Sequence, residues 1–183
     1  MHALVIGATG MLSTATLWMN SHGWQVTSIS RTHEKAQKLH ALSDFPDRLR
    51  TLVLDWNATD TVLENIELAV EQSGPIHKLV LWMHREVAET IPKILCHIDQ
   101  LNQENWALYH VKGSRASRPG QNWTPLLPKG CRYHDIILGF KQENGISRWL
   151  SNREISEGVI QAIQCGHERT IVGQVEPWNQ RPS

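Results

Sequence analysis

The stretch His2–Ser13, HALVIGATGMLS, decides how this chain is read. A short apolar run, Ala3 to Ile6, breaks into Gly7-Ala8-Thr9-Gly10 and then into Met11-Leu12-Ser13, which is able to open a helix. A buried strand feeding a glycine turn and a helix N-terminus is a device for holding a pyrophosphate. Without Cβ atoms at Gly7 and Gly10, backbone N–H groups can approach phosphate oxygens while the helix dipole opposes their charge. Gly7, Ala8, Thr9, Gly10, Met11 and Leu12 are therefore the expected cradle of a nucleotide cofactor.

Beyond this turn, apolar runs alternate with segments of helical period. Strands are expected at Ala3–Ile6, Gln25–Ile29, Thr51–Leu54, Leu79–Met83, Trp106–Val111, Tyr133–Phe140 and Thr170–Val175. Helices are expected at Met11–His22, Glu34–Leu42, Thr61–Gln72 and Glu86–Leu101, with Pro92 kinking the last or starting a new turn there. Ser151-Asn-Arg-Glu154 has capping-box spacing, and Ile155, Val159, Ala162 and Ile163 then share one helical face before Gly166. Such alternation predicts parallel strands joined by right-handed crossovers, an α/β, doubly wound, mostly parallel Rossmann-like sheet in a single domain spanning 1–183. Residues 112–132 hold Arg115, Arg118, Pro119, Gly120, Pro125 and Pro128 with little periodicity, a long loop of the kind that serves as a lid. Within it, Trp123 is a candidate to close over a flat ligand; a loop anchor is the competing reading.

Composition narrows the class. The 183 residues are 40% hydrophobic and 20% charged, ordinary for a globular chain. Eighteen basic residues balance eighteen acidic ones without a dense basic run, so a small molecule is the expected partner and nucleic acid is not. The first strand begins at once and no apolar run approaches the length of a membrane span, which points to a cytoplasmic protein with no membrane association. A homo-oligomer follows only from general frequency. Cys96, Cys131 and Cys165 lack paired spacing and read as small buried hydrophobes. The ten histidines form no H-x-x-x-H pattern, so no metal site is expected, although His84, His97, His110, Cys131 and His134 are the residues able to converge. Of the eight tryptophans, Trp82, Trp106 and Trp149 read as packing residues.

Gly7-Ala8-Thr9-Gly10-Met11-Leu12-Ser13 resembles the GATGxxG turn of the extended and atypical short-chain dehydrogenase/reductase superfamily, with Ser13 in place of the third glycine. The resemblance extends over the strand and helix order of most of the chain, including the late capped helix. It implies an NAD(P)-binding fold and an oxidoreductase. About twenty residues past the turn, where a carboxylate would take the ribose hydroxyls of NAD, stands Ser30-Arg31-Thr32. A guanidinium flanked by hydroxyls suits a 2′-phosphate and favours NADP over NAD; a solvated arginine at a helix start is the alternative. Asp55 resembles the family's aspartate near the adenine, or else caps the next helix. Trp56 and Trp82, beside the same strand ends, complete the expected cofactor residues.

The family's Tyr-x-x-x-Lys pair is not found. Tyr109 precedes Lys112 by three residues on a strand, which sends the two side chains to opposite faces, and the residue four after Tyr133 is Ile137. His84, Lys112 and Ser114, at the carboxyl ends of the fourth and fifth strands, are the remaining catalytic candidates. His84 would move a proton and Ser114 would hydrogen-bond a substrate oxygen; a solvated histidine and a turn serine are the plain alternatives. The expected function is an NADP-dependent oxidoreductase acting on a small organic substrate. The alternatives are a catalytically inactive NADP(H)-binding redox sensor and a structural subunit of a larger enzyme.

Overall fold

A computed structural model describes residues 1–83 and 89–182. His2–Ile6 forms β1, whose side chains alternate between two apolar layers: Ala3 and Val5 pack on one face, Leu4 and Ile6 on the other. A strand covered on both faces is apolar throughout, and each fully buried Leu or Ile in it stabilises the fold by about 2 kcal/mol. The chain continues through α1 (Ser13–Ser21), β2 (Gln25–Ser30), α2 (His33–Ala41), β3 (Leu49–Val53), α3 (Thr59–Ser73), β4 (Ile76–Leu81) and α4 (Thr90–Leu101). Then follow β5 (Trp106–Lys112), β6 (Cys131–Leu138), an antiparallel hairpin β7 (Phe140–Glu143) and β8 (Ile146–Trp149), α5 (Asn152–Cys165) and β9 (Arg169–Val172).

Seven strands form one parallel sheet in the order β3-β2-β1-β4-β5-β6-β9, the doubly wound order expected from the alternation. Residues of α1, α2 and α5 pack on the face of Ala3 and Val5; residues of α3 and α4 pack on the face of Leu4 and Ile6. In α1 the buried residues Ala15, Thr16, Met19 and Asn20 lie one turn apart on one side. Buried Asn20 donates to the Phe45 carbonyl at 3.0 Å and accepts from Ser43 at 2.7 Å, which ties down the segment before β3.

Several boundaries differ from the expectation. β4 begins at Ile76 and ends at Leu81, so Trp82 and Met83 follow the strand instead of closing it. Pro92 lies in the first turn of α4, where its missing N–H costs nothing, and the expected beginning of that helix at Glu86 lies outside the described residues. The sixth strand stops at Leu138, and Asn144 and Gly145, both at positive φ, turn β7 into β8. Lys112 belongs to β5 and the loop after it opens with a 3-10 turn, Ser114–Ser117, so the expected loop of 112–132 shortens to 113–130. Cys96 and Cys165 are exposed and Cys131 half-buried, against the expectation of burial. Among the described residues no helix is long and apolar enough to cross a membrane, and no three His, Cys, Asp or Glu are placed to hold a metal ion.

Candidate functional site

The strand order changes direction between β1 and β4, and in a doubly wound sheet ligands sit outside the carboxyl ends at that point. Gly7 follows β1 there with φ +89°, and a Cβ on it would stand 2.9 Å from the Trp82 carbonyl oxygen. Its N–H donates to the Ile29 carbonyl at 3.1 Å, while the Trp82 N–H donates to the Ile6 carbonyl at 3.0 Å. Gly7 therefore makes the turn but has no amide left for a phosphate. Gly10 is different, since a Cβ there would meet no protein atom within 4 Å. Among the described residues no acceptor takes the N–H groups of Gly10, Met11 or Leu12, which precede α1.

A cleft of about 550 Å³ opens at this turn. Gly7, Thr9, Gly10 and Met11 form one wall; Ser30, Arg31 and Thr32, at the end of β2, form the next. Asp55, Trp56 and Trp82 close it. Ala8 and Leu12, expected in the same cradle, do not line it: both are fully buried, with side chains in the core between the sheet and α1. They contribute main chain only. Arg31 leans on the Trp56 ring, 5.8 Å from its centroid. The Thr32 side chain makes no cap bond to α2. Asp55 Oδ1 accepts from the Asn57 main chain and side chain at 3.0 Å, an Asx turn before α3 and not a cap of that helix. Lys35, Asn57 and Met83 also line the cleft and were not anticipated. Lys35 sits one helical turn beyond Arg31, a spacing from which it could have been found.

A second cavity, of about 920 Å³, shares Met11, Trp82 and Met83 with this cleft and lies at the ends of β4 and β5. Lys112 and Ser114 line it, as does His110, which sequence reasoning did not single out for catalysis. His84 lies outside the described residues. The 113–130 segment carries only its short 3-10 turn, and Leu127 from it packs on the α3 and α4 face. Trp123 stands edge-on to His110 at 5.9 Å. Trp149, expected in the core, is 43% exposed because the hairpin that ends with it lies outside the seven-stranded sheet; it lines the cavity instead.

Lys112 is held from four sides. Its ammonium lies 2.5 Å from Asp135 Oδ1 and donates to Asn122 Oδ1 at 2.5 Å, to Tyr133 Oη at 3.1 Å and to the Trp123 carbonyl at 3.4 Å. Burial lowers its pKa and Asp135 opposes the shift. Tyr133 Oη lies 3.1 Å from His110 Nδ1. Lys112 donates to that same oxygen, which links Lys112, Tyr133 and His110 in one hydrogen-bonded chain. Burial, with the Lys112 charge, pushes His110 down to about 4, so the ring is neutral at pH 7. Burial likewise pushes the Tyr133 phenol upward. Tyr109 projects to the other face, stacking on His134 at 4.4 Å and accepting from Lys78 at 3.2 Å. A Tyr–Lys contact thus exists between Tyr133 and Lys112, built across neighbouring parallel strands and not along a helix.

No family model matches the chain, and no curated protein matches it in sequence. Solved structures do. A short-chain dehydrogenase/reductase titled glucose/ribitol dehydrogenase, from Brucella melitensis, aligns with TM-score 0.70 and 13% identity over 93% of both chains. A betaketoacyl-ACP reductase from Bacteroides thetaiotaomicron aligns with TM-score 0.66 and 15% identity over 94% of each chain. A substituted actinorhodin polyketide ketoreductase with NADPH aligns with TM-score 0.68 and 12% identity over 94% of this chain and 95% of that one. The chain therefore has the Rossmann-like α/β fold of short-chain dehydrogenase/reductase structures.

Proposed function

We propose that the chain binds NADP(H) and is an NADP-dependent oxidoreductase of atypical short-chain dehydrogenase type, acting on a small organic substrate. The observation that carries this reading is a pair of adjoining cavities that share Met11, Trp82 and Met83 in their walls. A cationic, glycine-floored cleft at the strand-order switch adjoins a larger, mostly apolar cavity whose wall carries His110, Lys112 and Ser114. Two features fit a dinucleotide. The space above Gly10 is of the kind a Cβ would fill, and the Ser30 hydroxyl, buried at the cleft wall, has no hydrogen-bond partner among the described residues. The turn amides from Gly10 to Leu12 would hold the pyrophosphate, and Arg31, Thr32 and Lys35 would hold a 2′-phosphate. The bound cofactor would supply a hydride.

In the cavity, Ser114 would hydrogen-bond a substrate oxygen, and the neutral His110 ring lines the same space. Lys112, saturated by its four partners, fixes Tyr133 and His110 and is not itself free to shuttle a proton. The 113–130 segment, with Trp123, is the proposed cover of the cavity. That saturation of Lys112 also favours a second reading, a redox sensor that binds the cofactor without turnover.

The test has two parts. NADPH and NADH are titrated against the wild type and Arg31→Ala by tryptophan fluorescence, with NADPH expected to bind more tightly and the preference to vanish in the variant. An unchanged preference retires Arg31. NADPH oxidation across carbonyl, imine and enone compounds then separates enzyme from sensor, because turnover lost in Ser114→Ala supports the first and absence of turnover throughout supports the second.

A further inference from the structure

The larger cavity has a charge pattern that cofactor binding leaves unexplained. Its described lining includes Lys112, Arg115 and Arg181 and no Asp or Glu. Lys112 is compensated by Asp135 at 2.5 Å. Arg115 and Arg181 form no ion pair among the described residues. Neither lines the cleft assigned to the dinucleotide, so the cofactor phosphates do not account for them. Two guanidinium groups thus border a concave site with no carboxylate paired to them among the described residues, a field that concentrates anions.

Arg181 is also held in place. Its guanidinium carbon lies 4.7 Å from the Trp178 ring centroid and 5.5 Å from that of Trp149, while Arg118 lies 4.6 Å from the Trp178 ring. No hydrogen-bond acceptor takes the Arg181 guanidinium N–H groups among the described residues, which leaves the fork for a carboxylate. The remaining wall is apolar, with Leu138, Leu150 and Ile155 beside the indoles of Trp123 and Trp149. A wall of this kind takes a flat hydrocarbon body.

We propose that this cavity receives an aromatic carboxylate, its anionic group on the Arg181 fork with Arg115 adding charge, and its ring among Trp123, Trp149 and Leu150. This rests on reading the cavity as the substrate site of the oxidoreductase proposed above.

The probes are 2-naphthoate and its neutral isostere 2-naphthamide, titrated calorimetrically into the whole chain with and without saturating NADPH. Naphthoate is expected to bind about tenfold more tightly than naphthamide, equivalent to about 1.4 kcal/mol. The difference should disappear in Arg181→Gln and return only in part in Arg181→Lys, because an ammonium lacks the fork. NADPH affinity should be the same in Arg181→Gln as in the wild type, which also shows that the variant is folded. Equal affinity for acid and amide, binding of neither, or a preference for the acid that survives Arg181→Gln overturns the proposal. If the cofactor reading alone is wrong, NADPH fails to bind the wild type while the naphthoate preference persists; if only the present proposal is wrong, NADPH binds and the preference is missing.

Discussion

Ser156, fully buried in α5, donates a 2.7 Å hydrogen bond to the carbonyl of Met11, 145 residues earlier in the glycine turn. The same hydroxyl accepts from the Ala15 N–H at 3.2 Å. A late helix thereby sets the position of the turn that opens α1. Ser156→Ala leaves a buried carbonyl and a buried amide without a partner, for which a loss of about 1–3 kcal/mol is expected. Urea unfolding measures it. The account also expects weaker NADPH binding in this variant, since the turn loses its anchor; a destabilised chain with unaltered NADPH affinity would show that the bond supports the fold alone.

The two glycines of the turn should fail differently. At Gly7 a side chain meets the Trp82 carbonyl at 2.9 Å in a backbone conformation of φ +89°, so Gly7→Ala is expected to lower the melting temperature by several degrees. At Gly10 a Cβ has open space, so Gly10→Ala is expected to fold as well as the wild type and to bind NADPH at least tenfold more weakly. Thermal unfolding and calorimetric titration of both variants decide this. Equal loss of stability in the two would contradict it.

Lys112 and Asp135 form a buried ion pair, with side chains 10% and 8% exposed. Lys112→Met leaves the carboxylate, among the described residues, with Arg169 at 3.9 Å and Asn122 at 3.3 Å. Removing one partner of such a pair costs about 3–5 kcal/mol, whereas replacing both with apolar groups is often near neutral. The double variant Lys112→Met/Asp135→Leu is therefore expected to be more stable than Lys112→Met in denaturant titration. The opposite order would show that Asp135 is not held by Lys112.

His110 is held neutral by burial first and then by the Lys112 charge, with a pKa of about 4 against 6.5 in the unfolded chain. Between these values the unfolded chain binds more protons, so stability is complete above about 6.5 and falls as the pH drops toward 4. The contribution at stake is about 3 kcal/mol. His2, also depressed by burial, acts in the same direction. His110→Gln removes one of these groups, so its stability should fall less than the wild type's between pH 7 and pH 5. Parallel curves for the two chains would refute the buried, neutral ring.

What could be read from the amino acids alone was what neighbours along the chain decide. The alternation of Ala3 to Ile6, the glycine turn, and the Ser151–Glu154 box are all local, and the box forms with both reciprocal bonds. The start of β4 was missed because Ile76-His77-Lys78 puts polar groups on a strand whose early positions are only half-buried. Asn144-Gly145 was legible as a turn, but the hairpin it closes was not, since Glu143 and Ile146 carry no β pattern beyond a few residues. The contact of Lys112 with Tyr133 depends on the register of β5 against β6, and that of Arg181 with Trp149 on the path of the C-terminal segment across the cavity. No spacing rule encodes either. Ala8 and Leu12 belong to the glycine-turn stretch, but their side chains are buried in the core, which a motif match does not distinguish.

The amide resonances of the isotope-labelled chain during NADPH addition test the central claim most directly. Saturable shifts are expected, largest at Gly10, Met11 and Leu12 and extending to Ser30 and Arg31. Spectra unchanged by NADPH, or shifts that spare the glycine turn, would contradict it.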